Sequence, residues 1–348
     1  MKEAILSSLD NYNPILSQLK NKTFFITGAT GLIGKYLCFT LAELNKKHEL
    51  GLQILANVRN KQKAEMIFKS YLTENLIQLI VNDITHAFNF ENDIDYIIHG
   101  ASMTSSKDFV DRPVDTIDVA LTGTRNILEL AASKNVLGMT YLSSLEVYGI
   151  STDSGLRIKE SDFGYLDPMN VRSSYSEGKR MAETLCVAYA HQYNLPITVA
   201  RLCQTFGPGI EYSDNRVFAQ FAKSVIERRD IVLKTEGKTE RNYCYITDAV
   251  LGILYVLLNG ESKQAYNIAN ENTSISIKDM AELVINLEPS NSKLVFDIVE
   301  SPEALGYNPT VKINLDTEKI QALGWKAQID LPEMFNRLIE SLKEDMSR

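Results

Sequence analysis

The sequence has few of the features that mark fibrous, disulfide-rich or metal-binding proteins. Its 348 residues include only 9 prolines beside 18 glycines, so the composition gives no sign of disorder or low complexity. The four cysteines are far apart and form no C-x-x-C pair, which argues against a disulfide framework and a structural zinc site. We expect no metal, and we predict that the cysteines fill the core: Cys38, Cys186, Cys203 and Cys244.

Long apolar runs and an excess of positive charge are also missing. No uninterrupted apolar stretch approaches the ~18–20 residues that span a bilayer. Residues 1–20 include Lys2, Glu3 and Asp10, which is unlike a signal peptide. The formal net charge is −8, which argues against binding a phosphate backbone through net charge. We therefore expect a cytoplasmic globular protein with no nucleic-acid partner and no membrane insertion.

Short apolar strands alternate with longer helices through the first two thirds of the chain. The pattern predicts helices at 32–44, 61–71, 113–135 and 173–193, and strands at 23–27, 52–57, 76–81, 94–99, 138–143 and 197–201. Such alternation is typical of βαβ units and a parallel sheet covered on both faces. The predicted fold class is α/β, a Rossmann-type doubly wound parallel sheet with a smaller mixed α/β C-terminal substrate lobe.

The same pattern predicts three parts. Residues 1–21 form an N-terminal helical extension. Residues 22–205 form an NAD(P)-binding Rossmann domain, to which 243–260 also belong. Residues 206–348 form most of a substrate-binding lobe, because the regular alternation weakens after about Phe206 and polar loops follow.

A glycine-rich loop, Thr27-Gly-Ala-Thr-Gly-Leu-Ile-Gly34, follows the first strand directly and opens a helix. Gly28 permits the tight turn, Gly31 lets the backbone approach a pyrophosphate, and Gly34 lets the helix pack against the strand. The helix N-terminus then supplies N–H groups for the phosphates. The residues predicted here to bind a dinucleotide are Gly28, Thr30, Gly31, Leu32, Ile33 and Gly34.

The ends of the next strands leave the choice between NAD and NADP open. An NAD-specific protein usually presents a carboxylate after its second strand, but this chain has Asn57-Val-Arg59-Asn60. Arg59 either accepts a 2′-phosphate, which favours NADP, or is a solvated loop residue. Asp83 is placed to contact the adenine, and His99 at the end of the fourth strand is better explained as a packing residue than as a base. The cofactor contacts predicted at these strand ends are Arg59, Asp83, Ile84 and Ala101.

Four polar side chains are predicted to form the chemical centre: Ser144, Glu146, Tyr175 and Lys179. Tyr175 and Lys179 share a helix face because they are four residues apart. In an extended segment Ser144, Glu146 and Tyr148 would also point together. An ammonium and a cationic nicotinamide would lower the phenol pKa from about 10. Tyr175 would then take the proton of a substrate hydroxyl, with Ser144 hydrogen-bonded to the same oxygen, while Tyr175 and Lys179 also hold the cofactor.

Several motifs together resemble the extended short-chain dehydrogenase/reductases that act on nucleotide sugars, and UDP-glucuronate decarboxylases (UDP-xylose synthases) in particular. The matching segments are residues 27–34, 99–102, 143–149, 175–180, 201–208 and 214–217. The resemblance implies an NAD(P)-dependent homodimer that modifies a nucleotide-diphosphate sugar through a 4-keto intermediate. It also implies that residues 113–135 and 173–193 form the dimer seam. The implied substrate contacts are Tyr148, Gln204, Thr205, Arg216 and Arg241, although the two arginines can also be explained as solvated charges.

The departures from the family pattern keep the reaction open. Leu145 stands where decarboxylases carry Ser and where 6-dehydratases carry the Asp that expels the 6-hydroxyl, so 4,6-dehydration is disfavoured. Gln204 replaces the usual Asn, and a C-terminal Arg is missing from 306–310. Glu146 is either catalytic or a structural acceptor. The remaining hypotheses are decarboxylation, 4-epimerisation, 4-keto reduction and a dinucleotide-sensing protein without catalysis. The intact set of Ser144, Tyr175 and Lys179 argues against the last.

Overall fold

A computed structural model of the chain describes residues 1–150, 157–289, 291–300 and 310–346. The strands are β1 Thr23–Thr27, β2 Gln53–Val58, β3 Gln78–Val81, β4 Tyr96–His99, β5 Gly138–Ser144, β6 Ile197–Leu202, β7 Gln204–Phe206, β8 Ile231–Leu233, β9 Glu240–Tyr245, β10 Ala265–Ile268, β11 Asn270–Ser276, β12 Leu294–Phe296 and β13 Lys312–Ile313. The helices are α1 Lys2–Leu6, α2 Leu16–Leu19, α3 Leu32–His48, α4 Lys61–Thr73, α5 Ser106–Asp111, α6 Pro113–Lys134, α7 Ser173–Gln192, α8 Val217–Ile226, α9 Ile246–Asn259, α10 Ile277–Leu287, α11 Glu318–Gln321 and α12 Leu331–Met346.

A seven-stranded sheet organises the molecule, in the order β10-β6-β5-β4-β1-β2-β3. Every neighbouring pair in it is parallel. All five residues of β1 are buried, as expected for a central strand with both faces covered. The predicted fold class, a Rossmann-type doubly wound parallel sheet with a second lobe, is confirmed.

Each face of the sheet has its own apolar core, because successive side chains of a strand point to opposite faces. Phe24 and Ile26 of β1 pack on the side of α3, α4 and α9, together with apolar residues of the first 19 positions. Phe25 packs on the side of α6 and α7, where Cys186 is also buried. All four cysteines are buried and free, which agrees with their predicted place in the core.

The second lobe is smaller and mixed. Strand β9 pairs antiparallel with β11 and parallel with β7 and β13, while β8 and β12 form a separate parallel pair. Helices α8, α10 and α12 pack on one another beside these strands. The chain crosses between the two parts more than once, since β10 returns to the edge of the large sheet beside β6. No helix in the described parts of the chain has the length and apolar character needed to cross a membrane.

Candidate active site

A cavity of about 710 Å³ lies at the carboxyl ends of the parallel strands, between the sheet and the second lobe. Ligands of open α/β sheets bind at this end, because the loops after the strands converge there. One part of its wall is the glycine loop after β1. Another is formed by residues that follow β5, precede α7 and lie in β9.

The glycine loop is shaped for close approach of a ligand to the backbone. Gly28 has φ +67°, and a Cβ there would lie 2.9 Å from the Ala101 nitrogen. A Cβ on Gly34 would lie 2.2 Å from the Gly28 carbonyl oxygen, so α3 packs on the turn only with glycine at that position. Gly31 is the N-cap of α3 and provides no side-chain cap, which leaves first-turn N–H groups free for an anion. The residues present therefore fit a dinucleotide, whose diphosphate would accept hydrogen bonds from the N–H groups of the helix start.

The residues predicted to contact the adenosine side, Arg59, Asp83, Ile84 and Ala101, all line the cavity, as does Thr30. Arg59 is 70% exposed and lies 3.9 Å from an Asp83 carboxylate oxygen. Asp83 accepts hydrogen bonds from the backbone and hydroxyl of Thr85, at 2.9 and 2.8 Å. Lys35 and Lys63 also line the cavity, and Lys63 is paired with Glu211 at 3.4 Å.

His99 is held as a neutral packing residue at the end of β4. Its ring nitrogens lie 2.7 Å from the Thr27 hydroxyl and 3.1 Å from the Thr124 hydroxyl. Burial, assisted by the charge of Lys179, lowers its pKa from 6.5 to about 3. Both observations agree with the packing interpretation of His99.

Tyr175, Lys179 and Ser144 meet in the cavity. Tyr175 stacks on the ring of Phe109 with the centroids 4.2 Å apart, and Ser144 hydrogen-bonds its phenol. The Lys179 ammonium donates to the Leu142 carbonyl at 2.7 Å and lies 5.9 Å from the centre of the Tyr175 ring. The helical spacing of Tyr175 and Lys179 thus brings a phenol and an ammonium to one wall.

The expected lowering of the Tyr175 pKa by Lys179 is not what the protein itself produces. Burial raises the pKa of the phenol, and the charge of Glu146 raises it further, while Ser144 and Arg172 oppose the rise. Burial also lowers the pKa of Lys179 to about 8. Desolvation outweighs the neighbouring ammonium because both groups are removed from water.

The segment after β5 departs from the extended geometry predicted for it. Leu145–Tyr148 forms a 3₁₀ turn, which Ser144 caps by accepting a hydrogen bond from the Glu146 N–H at 3.2 Å. The predicted alternation, in which Ser144, Glu146 and Tyr148 point to the same side, is therefore wrong for this segment. Glu146 lines the cavity, whereas Tyr148 is fully buried and its hydroxyl lies 2.5 Å from Asn267 and 3.0 Å from Arg201. The expected contact of Tyr148 with substrate is not supported by this position.

Arg172 is a cavity residue that the sequence analysis missed. Its Nη1 and Nη2 donate to the two carboxylate oxygens of Glu146, at 2.9 and 3.1 Å. Ser176 donates to the same carboxylate at 3.1 Å. One signal was available, since an arginine at the N-cap of a helix opposes the helix dipole and invites a carboxylate partner. No acceptor role toward backbone N–H groups is seen for Glu146 among its described contacts.

The other predicted substrate contacts, Gln204, Thr205, Arg216 and Arg241, all line the cavity. Arg216 is paired with Asp214, at 2.6 Å for the shortest contact. In the described chain, the Nε atoms of Arg172 and Arg241 are buried and have no hydrogen-bond acceptor. Of the segment 306–310, where a family arginine is missing, residues 306–309 lie outside the described residues.

The fold and this site define a dinucleotide-binding α/β enzyme with a Tyr–Lys pair at the ends of its parallel strands. Residues 24–269 match the NAD dependent epimerase/dehydratase family. The chain belongs to that family.

Known proteins similar to this chain agree with the assignment. UDP-glucuronic acid decarboxylase 5 of Arabidopsis thaliana is 32% identical over 323 residues, covering 86% of this chain and 90% of the relative. The solved structure of an epimerase from Methanothermobacter thermautotrophicus has a TM-score of 0.78 at 21% identity and covers 95% of both chains. The Bordetella bronchiseptica enzyme WbmF, in complex with NAD+ and UDP, has a TM-score of 0.75 at 19% identity and covers 95% of both chains. The two structures show that the fold is shared.

Proposed function

We propose that this enzyme modifies a nucleotide-diphosphate sugar through oxidation at C4, and that it most resembles the UDP-glucuronate decarboxylases in its reaction. The observation that carries the proposal is one cavity holding Ser144, Tyr175 and Lys179 beside the Glu146–Arg172 pair and a glycine loop suited to a dinucleotide. The curated relatives named UDP-glucuronic acid decarboxylases support the choice of substrate class.

In the proposed reaction Tyr175 accepts the proton of the C4 hydroxyl, and Ser144 donates a hydrogen bond to the same oxygen. A bound nicotinamide cofactor supplies the hydride acceptor, a positive charge that favours the phenolate, and later the hydride that is returned. The 4-ketone makes a C6 carboxylate a β-keto acid, which loses CO₂ as its electrons move to the C4 oxygen. Tyr175 and Ser144 stabilise that oxygen, and C5 takes up one proton from solvent through a water that is hydrogen-bonded to Glu146. Tyr175 then gives its proton back to the C4 oxygen as the hydride returns to C4.

Dehydration is disfavoured by two neighbouring residues that line the cavity after β5, Leu145 and Glu146. Leu145 has no proton to give to a departing 6-hydroxyl. Glu146 accepts three hydrogen bonds and donates none, so it does not serve as the acid either. These two side chains favour reactions in which no hydroxyl leaves from C6.

Two other reactions remain candidates on specific observations. The apolar Leu145 suits a substrate with an uncharged C6, as in simple 4-epimerisation. Arg59 suits the 2′-phosphate of NADPH, as in net 4-keto reduction, whereas WbmF was solved with NAD+. A sensor without catalysis has no need of the aligned Ser144, Tyr175 and Lys179.

We also propose that the enzyme is a cytoplasmic homodimer joined through α6 and α7. These helices pack on each other and leave apolar side chains exposed on their outer faces. Those side chains are Val114, Ile117, Met181 and Val187. A second copy of this chain would cover them. Sedimentation of the purified protein tests this, and a monomer at micromolar concentration would contradict it.

The reaction is tested by incubating the purified enzyme with a panel of nucleotide sugars and NAD+ or NADPH, then identifying products by mass and NMR. We expect loss of CO₂ from UDP-glucuronate. Loss of water from a nucleotide glucose would overturn the argument from Leu145 and Glu146. Product of unchanged mass and inverted C4 would instead assign epimerisation. Tyr175→Phe is the matched control and should give none of these products.

A further inference from the structure

The hydrogen bonds to Glu146 are all of one kind. Arg172 donates through Nη1 and Nη2, and the Ser176 hydroxyl donates to Oε2, at distances of 2.9 to 3.1 Å. An ionised carboxylate is purely an acceptor, whereas a protonated carboxyl also carries an O–H donor. The Arg172 nitrogens have no lone pair for such a proton, so the Ser176 hydroxyl is the single acceptor for it among these partners. The pattern therefore matches the anion, and it leaves lone pairs free to face the cavity.

The charges around Glu146 act in the same direction. Arg172 faces it from the start of α7 and Arg241 from β9, while Tyr175 is the titratable neighbour on α7. Burial by itself raises the pKa of Glu146, but the hydrogen bonds and charge of Arg172, then Arg241 and Ser176, hold it below its ordinary value. The carboxylate of Glu146, paired with the Arg172 guanidinium, thus stays ionised in a largely buried place.

Arg172 is itself fixed in place. Its guanidinium lies 5.4 Å from the centre of the Phe109 ring, and that ring stacks on Tyr175. Only 18% of the Arg172 side chain and 16% of the Glu146 side chain are exposed, so the pair is not a loose surface contact. At the N-cap of α7 a cation is unfavourable for the helix, which the bidentate pairing with Glu146 offsets.

We propose that Arg172 is a positioning residue for Glu146: its bidentate ion pair keeps Glu146 an oriented anion that only accepts hydrogen bonds or protons from substrate. This rests on the proposed function in taking the substrate to be a sugar in this cavity. The ion pair gives the site its preference against any reaction that needs an acid beside C6. Arg172 does so without contacting the reacting atoms.

The test measures Glu146 directly in the cofactor-loaded enzyme without any sugar. Protein labelled with ¹³C at glutamate Cδ is titrated by NMR, and the Glu146 resonance is assigned by its absence in Glu146→Gln. In the wild type we expect the carboxylate signal to persist to the lowest pH at which the protein stays folded. In Arg172→Met we expect the titration midpoint to rise by about one pH unit or more, with Arg172→Lys in between.

Arg180→Met is the matched control. Arg180 lies on the same helix with 24% of its side chain exposed, but it donates to the backbone carbonyls of Val147 and Gly164 rather than to Glu146. Its removal should leave the Glu146 midpoint unchanged. An equal shift in Arg180→Met, or no shift in folded Arg172→Met, would overturn the proposal. Thermal unfolding and cofactor binding establish folding, and if Arg172→Met is unfolded, a wild-type midpoint in Arg172→Lys is the overturning result.

A kinetic measurement adds the functional consequence. Once a substrate is identified, the acidic limb of the pH profile of kcat/KM should move in Arg172→Lys by the same amount as the NMR midpoint. A loss of rate with an unmoved limb would show a merely structural role and contradict the proposal. The NMR titration needs no sugar, so a negative substrate panel would weaken the proposed function and leave this result standing.

Discussion

The two ends of the cavity differ in whether backbone or charged side chains form them. The end that we propose binds the cofactor, here called the cofactor end, depends on the backbone of one continuous segment, Thr27–Gly34, where glycines admit close contact. The end that we propose binds the sugar, here called the sugar end, has charged side chains from four separate segments: Glu146, Arg172, Arg216 and Arg241. Two of its arginines are already paired, Arg172 with Glu146 and Arg216 with Asp214. Mutations should therefore act sterically at the first end and electrostatically at the second. Tyr175 lies where the two ends meet, so a substitution there is the strongest test of whether the two ends can be altered independently.

The largest expected effect comes from Tyr175→Phe. Phenylalanine keeps the stack on Phe109, so the wall and the cofactor end should be undisturbed. Loss of the proton acceptor should reduce turnover by about 100- to 10,000-fold. Turnover is measured on the sugar identified by the panel, and cofactor affinity by calorimetry. A variant that keeps more than about a tenth of the wild-type rate would remove Tyr175 from its assigned role.

Gly34→Ala tests the steric end. The new Cβ would lie 2.2 Å from the Gly28 carbonyl oxygen and 2.7 Å from the Ala29 Cα, so backbone must move. We expect a loss of about 3 kcal/mol or more in the free energy of unfolding, measured with urea. Gly31→Ala is the control, because its Cβ meets only the Gly28 oxygen at 3.3 Å, and it should cost less than about 1 kcal/mol. Equal losses in the two variants would contradict the steric account.

Buried His99, at the end of β4, should make the free energy of unfolding depend on pH. Its pKa is about 3 in the folded protein against an ordinary value of 6.5, so below pH 6.5 the unfolded chain binds a proton that the folded chain does not. As the pH decreases below 6.5, the free energy of unfolding should fall by about 1.4 kcal/mol per pH unit, which amounts to about 2 kcal/mol at pH 5.

Urea unfolding at pH 7 and pH 5 measures this loss. His99→Gln should reduce the difference between the two pH values by about 2 kcal/mol. His191→Gln, which alters an exposed histidine on α7, should leave the difference as in the wild type. If the two variants behave alike, His99 is not the buried neutral residue described.

The smallest expected effect concerns Arg59. Because this side chain is 70% exposed, its removal should weaken NADP binding by only about 1.5 kcal/mol, at the low end for a hydrogen bond to a charged group. NAD binding should be nearly unchanged in Arg59→Ala. Calorimetry measures the affinity of Arg59→Ala for both cofactors. Equal losses of affinity for NAD and NADP, or no loss for either, would mean that Arg59 is a solvated loop residue.

The sequence alone was informative wherever the determining contacts are local. A strand followed by a glycine loop and a helix predicted the loop after β1, because Gly34 is constrained by Gly28 and Ala29, a few residues away. The close contact of Gly28 with Gly100 and Ala101 comes from the packing of β1 beside β4. The spacing of Tyr175 and Lys179 predicted their shared face, because a helix repeats every 3.6 residues. The alternation of strands and helices along the chain predicted the doubly wound sheet, because such alternation is typical of βαβ units.

Only the tertiary structure decided which side chains come together at the sugar end. The 3₁₀ turn after β5 directs Glu146 into the cavity and buries Tyr148 beside Asn267, 119 residues away in the chain. Glu146 and Arg172 are 26 residues apart, and Arg241 reaches the same cavity from the second lobe. Periodicity reports which residues of one element share a face. Which charges of different elements meet depends on how the sheet and the second lobe pack, and that packing is set by long-range burial of apolar surface rather than by any local repeat.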